Sequence, residues 1–146
     1  MIHRDAGRRL TAVERVRYAA CFAADVLDVA RVIDGRVPFW LRPDMQGVTL
    51  GARIYLRPGA YDPNDIDGIE LLGHELVHVR QYREGMTVLR YLWASRAGYR
   101  RNRYEVEAYA IGAQIRRQLA LTPSIERASA SATSMPSTPA DMIPPA

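Results

Sequence analysis

Between residues 10 and 34, Val13, Val16, Ala20, Ala24, Leu27 and Val29 or Ala30 recur at helical spacing. Thr11 and Glu14 are placed as a capping box, and Asp34-Gly35 supplies a stop. The pattern predicts one scaffold helix. Residues 36–47 contain Pro38, Pro43 and Gly47 and read as loop. Within them, Phe39, Trp40 and Leu41 are expected to tuck beneath the domain or to line a pocket. Alternation follows. Val48, Leu50, Ala52, Ile54 and Leu56 fall on one side, and Thr49, Gly51, Arg53 and Tyr55 on the other. This predicts a strand or a hairpin over about 48–57 with Gly51 at its turn or bulge.

Pro58-Gly59 and Asp62-Pro63-Asn64-Asp65 are turn chemistry leading into a second helical pattern. Ile69, Leu72, Leu76 and Val79 form its stripe, with Asp67 as a cap and Glu70 three residues later. A break at Glu84-Gly85 precedes a segment from Val88 to Ala97, capped by Thr87, carrying Leu89, Leu92 and Trp93 and ended by Gly98. A last helix is predicted from Asn102 to about Leu121, with Tyr104, Ala108, Ile111, Ile115 and Leu119 as its stripe. From residue 122 onward the chain turns to Ser, Ala, Thr and Pro without periodicity, a composition that cannot offset its ordering entropy. The expected organisation is an N-terminal extension over 1–9, one α+β domain over 10–121 and a disordered tail over 122–146.

The second helical pattern carries the chemistry. His74-Glu75-Leu76-Val77-His78 sets two imidazoles four residues apart on one helix face, where a single Zn²⁺ takes both. Glu75 lies about 100° round the helix from His74, placed to act as general base on a metal-activated water without ligating the metal. The chain has 3 histidines, and this motif uses two. A catalytic zinc keeps three protein ligands and an open position, so a third ligand is required. Glu70 shares the face, but the helix turns separating it from His78 span too far for one ion. Glu105 and Glu107 on the last helix flank its apolar stripe almost symmetrically, and periodicity leaves both open. Gly112, seven residues after Glu105 and small enough for close helix approach, favours Glu105.

Composition narrows the reading. The 146 residues, 48 % hydrophobic and 25 % charged, describe an ordinary globular domain. No apolar run is long enough to span a bilayer, and the start lacks a signal-peptide pattern, so a cytoplasmic location is expected, with export by a dedicated machine as the alternative. Cys21 is the only cysteine, which excludes an internal disulfide, and it reads as a packing residue. Every basic residue is arginine. The arginines crowd between Arg80 and Arg103. No nucleic-acid motif accompanies them, so they read as a solvated face rather than a phosphate-binding patch.

The run Gly51-Ala52-Arg53-Ile54-Tyr55-Leu56-Arg57-Pro58-Gly59-Ala60-Tyr61-Asp62-Pro63, with Leu72-Gly73-His74-Glu75-Leu76-Val77-His78-Val79-Arg80-Gln81, closely resembles a bacterial family. It is the core domain found with extracellular contractile injection systems, whose function is formally unknown and whose motif is that of a metallopeptidase. The resemblance covers about 45–110. It implies a zincin-like fold of the gluzincin kind, with a small sheet on the metal helix, a second helix delivering a glutamate, and Zn²⁺. In the wider class that glutamate is followed four residues later by an aspartate that orients a histidine. On that pattern Glu105 matches the ligand, and Tyr109 stands where the aspartate would be. A phenol there orients a histidine less strongly than a carboxylate.

The reading is a zinc metallopeptidase acting on a peptide or protein substrate. His74, His78 and Glu105 would hold the metal, with Glu107 as the alternative ligand. Glu75 would be the base, and Tyr99, Tyr104 or Tyr109 would supply a further transition-state donor. The substrate is expected along the strand at 48–57 as an added strand. The rivals are a catalytically silent metal-binding module that assembles with a contractile, phage-tail-like machine, and an arginine-rich nucleic-acid binder.

Overall fold

A computed structural model describes residues 6–132 of the chain, with side chains as far as residue 122. In chain order the elements are α1 (Ala12–Tyr18), α2 (Ala24–Val29), β1 (Arg31–Asp34), β2 (Gly47–Leu50), β3 (Arg53–Leu56), α3 (Ile66–Arg83), α4 (Val88–Ala94) and α5 (Arg103–Ala132). Two single-turn 3₁₀ segments, Ser95–Ala97 and Tyr99–Arg101, join α4 to α5. The fold is the expected α+β arrangement, a small sheet packed on the helix that carries the histidines.

The single helix predicted over 10–34 is instead two short helices and a strand. Thr11 does cap α1, and its capping box with Glu14 is complete. The chain then turns at Ala19–Cys21, and Arg31-Val32-Ile33-Asp34 leaves helical geometry to pair in parallel with β3, Val32 opposite Ile54. Val32 and Ile33 suit a pleated strand, and a sheet partner distant in sequence overrides the local helical period. Cys21 lies half-buried in the turn, its thiol near Gln118.

The sheet runs β1-β3-β2, with β2 and β3 an antiparallel hairpin turned at Gly51, where φ is +66°. The turn shifts the alternation. Thr49 pairs with Ile54 and Gly47 with Leu56, so these residues share the face packed on α3, while Val48 and Leu50 point to the other side. The outer edge of β1 is covered by Arg8, whose backbone exchanges two 2.8 Å hydrogen bonds with Val32. Part of the stretch read as an extension thus belongs to the sheet. β2 forms the opposite edge and has no strand partner on its outer side among the described residues. Phe39 is fully exposed and Trp40 about half exposed, so only Leu41 of that trio tucks under. The loop they belong to is held by Arg57, whose guanidinium donates to the carbonyls of Leu41, Arg42 and Met45.

α3 is buried almost all round from Gly68 to Gln81 rather than along one stripe, because the sheet, α2 and α5 cover it on several sides. Its N-cap is Asp65, not Asp67. The Asp62 turn packs directly on Gly68, where a Cβ would lie 2.7 Å from the Asp62 backbone, and this sets where the helix begins. Asp67 and Glu70 both pair with Arg116 of α5 instead of capping. α5 crosses α3 closely at Gly73, under Ile115, and at Gly112, which faces Glu70. α5 also runs on to Ala132, past the end expected near Leu121. The last part of the predicted tail, 133–146, lies outside the described residues.

Arg8, Thr11 and Tyr61 converge on buried Glu14. The guanidinium donates to both carboxylate oxygens at 2.8 Å, and the Tyr61 hydroxyl adds a bond of 2.6 Å. Burial alone would raise the Glu14 pKa, but Arg8, Tyr61 and the Thr11 N–H outweigh it and hold the carboxyl at about 2. A depressed acid stabilises the fold fully above its ordinary value of 4.5, and that contribution is lost as pH falls toward about 2. Glu14→Gln is therefore expected to lower stability at neutral pH and to flatten its decline across that window. Urea unfolding at pH values spanning the window checks this; an unchanged pH slope would assign the acid sensitivity to other groups.

Candidate metal centre

His74 and His78 lie one turn apart on α3, and both are buried, at 9 % and 7 % exposure, beneath α5 and the β2 edge. Their Nε2 atoms face each other across 3.2 Å. Glu105, in the first turn of α5, completes the group. Its Oε2 lies 3.2 Å from His74 Nε2 and its Oε1 lies 3.4 Å from His78 Nε2. These residues can hold a metal ion, since one donor atom from each lies within 4.8 Å of the others. Around a tetrahedral ion with bonds of roughly 2.0–2.1 Å, donors stand about 3.3 Å apart, close to the separations here. The Glu105 Oε2 atom is buried without a hydrogen-bond partner, an orphan that a cation would satisfy.

The two glutamates left open by periodicity are separated by the helix crossing. Glu105 shares the buried face of α5 with Ala108, Gly112 and Ile115. Glu107 lies on the outer side, about half exposed, and pairs with Arg80 at 2.6 Å. It still serves the site at one remove. Its Oε2 accepts from Gln81 Nε2 at 2.6 Å, and the Tyr104 carbonyl accepts from the same amide at 3.0 Å. Two acceptors on its NH₂ group turn the Gln81 carbonyl toward His78 Nδ1, 2.8 Å away. Nδ1 must then carry the proton and donate it to Gln81, which leaves Nε2 with a bare lone pair aimed at the Glu105 carboxylate. Removing such an outer partner typically costs about 10–100-fold in metal affinity. Gln81→Leu is expected to weaken zinc binding by about that factor, measured by chelator competition. Equal affinity in wild type and Gln81→Leu would show that the amide does not set the imidazole.

Other side chains complete the surroundings. The Tyr91 hydroxyl, from α4, donates to Glu105 Oε1 at 2.7 Å, leaving Oε2 as the oxygen free to ligate. Burial would raise the pKa of Glu105, but the adjacent His74 and His78 imidazoles and the Tyr91 hydroxyl hold it well below the usual range, so it is a carboxylate. Burial would lower the pKa of His78, and the neighbouring Glu105 and Glu75 carboxylates raise it. Glu75 lies beside the triad, 4 % exposed, and its Oε2 accepts from Thr49 at 2.7 Å. Gly47 makes room for that carboxylate: a Cβ there would stand 3.1 Å from Glu75 Oε1.

Tyr109 packs edge-to-face on His74, with ring centroids 4.6 Å apart. Tyr99 and Tyr109 line one hollow beside His74 and Glu75. Burial first, then Glu105 and Tyr109, push the Tyr99 phenol up, so it stays a proton donor. Tyr104 is not in this group, since its ring stacks on Tyr91 and its hydroxyl accepts from Arg103. Thr49, Gln81 and Tyr91 were not foreseen. Thr49 does leave a trace in the sequence, as the polar residue on the inner face of a strand, but that face becomes legible only with the hairpin register.

A hollow of about 500 Å³ opens beside the triad along β2, lined by Trp40, Leu41, Val48, Leu50, Met86 and Leu92 as well as His74 and Glu75. A smaller one of about 300 Å³ lies at the other end of β2, where Asp44, Asp67 and Glu70 contribute.

Fold and site together define a small α+β domain with a metal-competent His-His-Glu group and a glutamate beside it. Over residues 9–86 the chain matches the eCIS core domain, and it belongs to that family. The matched stretch holds His74, Glu75, His78 and Gln81 but ends before Tyr91 and Glu105. No curated protein and no solved structure matches the chain. Among the described residues no helix is long and apolar enough to cross a membrane.

Proposed function

We propose that this chain is a zinc-dependent metallopeptidase. The observation that carries the reading is the convergence of His74, His78 and Glu105 on one point, with Glu75 beside it and, along it, a strand edge unpaired among the described residues. Zinc, when bound by those three residues, supplies Lewis acidity that acidifies water and polarises a scissile carbonyl. Glu75 takes the proton from the attacking water and returns it to the leaving amine. Thr49 holds one Glu75 oxygen and so aims the other. Substrate main chain adds to the outer edge of β2, which runs past His74 and Glu75, and its side chains enter the flanking hollows. Tyr99 and Tyr109 border the site and are the donors available to a developing oxyanion.

The direct test incubates the zinc-loaded chain with a mixture of unfolded proteins and reads new termini by mass spectrometry. Cleavage that a chelator abolishes and zinc restores is expected. Zinc bound at one per chain without cleavage of any substrate would favour the second reading, a metal-stabilised module that assembles with a contractile injection system. The family name is the observation on that side.

A further inference from the structure

Between Glu84 and Glu105 the chain has no acidic residue, yet it carries Arg90, Arg96, Arg100, Arg101 and Arg103. Elsewhere arginines meet carboxylates: Arg8 with Glu14, Arg15 with Asp28, Arg80 with Glu107, Arg83 with Asp25. Among the described residues none of the arginines in this acid-free segment forms an ion pair; Arg90 and Arg96 donate only to backbone carbonyls, and Arg103 to a tyrosine hydroxyl. Apolar exposure is concentrated in the same place. On α4, Leu89 is 78 % and Trp93 66 % exposed, and both project opposite to Tyr91, which faces the metal centre. Leu89, Trp93, Arg90, Arg96 and Arg103 line one hollow of about 600 Å³, separate from the hollows at the histidines.

We propose that this outer face of α4 is a docking surface for a protein partner, an acidic segment with a large apolar anchor residue. Unpaired guanidinium groups around an apolar floor call for carboxylates around an apolar side chain. Tryptophan and arginine are also the residue types that dominate interface energetics. The geometry separates this partner from other anions. Binding to a bilayer surface scales with the apolar area a helix buries in it, and α4 is only 7 residues long. A nucleic acid would stack bases on the tryptophan, but the Arg96 guanidinium already covers that ring at 3.3 Å from its centroid. The surface does not depend on the metal, so it stands or falls separately from the peptidase reading.

The test pans a random displayed-peptide library against the immobilised full chain, with Trp93→Ala and Arg96→Glu as counter-selections. Expected are peptides in which Asp and Glu flank a Trp, Phe or Leu. The synthetic winner should bind the wild type and lose at least ~10-fold, about 1.4 kcal/mol, in each variant. Its affinity should also fall as salt rises. Leu89→Ser provides a third variant, and all are checked for unchanged melting and zinc content, because none of these residues touches the triad. Three results overturn the proposal: no enriched peptide, winners without acidic bias, or winners that bind the variants as tightly as wild type. Trp93-dependent binding of a DNA duplex or of phosphatidylserine vesicles, with no peptide selected, overturns it as well and assigns the face to that anion.

Discussion

Glu105→Ala is expected to empty the metal centre. The substitution removes one of three donors, the carboxylate that completes the group with His74 and His78. It also leaves two buried imidazole nitrogens 3.2 Å apart without the anion between them. The loss in zinc affinity should exceed the ~10–100-fold cost of removing an outer partner, so that protein purified without added metal carries little zinc. Glu107→Ala is the internal comparison. Glu107 reaches the centre only through Gln81 and His78, so its removal should weaken binding within that outer-partner range and leave about one zinc per chain at saturation. Elemental analysis of wild type and both variants decides the matter. Equal zinc in wild type and Glu105→Ala would mean that the ion, if bound, sits elsewhere.

Glu75→Gln is expected to abolish peptide hydrolysis while zinc content stays at the wild-type level. The amide has the size of the carboxylate and can still bond Thr49, but it cannot accept a proton from water at neutral pH. Loss of a general base costs about 10²–10⁴ in rate, enough to place turnover below detection for a slow enzyme. Thr49→Val offers a graded counterpart, leaving the base in place and removing the bond that aims it. Cleavage measured beside zinc content separates the explanations. Hydrolysis persisting in Glu75→Gln would overturn the assignment of the base, whereas loss of both cleavage and zinc would show that Glu75 supports the centre rather than acting in it.

Much of the site could be read from local spacing. His74, Glu75 and His78 need only a helix to fall into relation, and Thr11, Thr87 and Gly51 act at the boundaries that capping and turn chemistry assign them. Elements of the fold that depart from the local pattern answer to partners distant in sequence. Residues 10–34 have a helical period, yet Val32 and Ile33 obey a strand contributed from beyond residue 50. Leu89, Leu92 and Trp93 fall within the helical segment that Thr87 caps, and α4 buries none of its residues. Period shows that residues share a face; it does not show what that face meets.

The sequence by itself determined the spacing of His74, Glu75 and His78, the extended stretch around Gly51, the helix carrying the histidines and the α+β class, because each rests on patterns within a few residues. Only the tertiary structure decided the rest. Glu105 enters the site and Glu107 stands behind it because α5 crosses α3 at Gly73 and Gly112, a rotation of one helix on another that symmetric flanking of a stripe leaves undetermined. Thr49, Gln81 and Tyr91 reach their partners from separate elements, and the free edge of β2 depends on the order in which three strands assemble. These are distances between segments far apart in the chain, set by close packing of whole elements, and no local pattern encodes them.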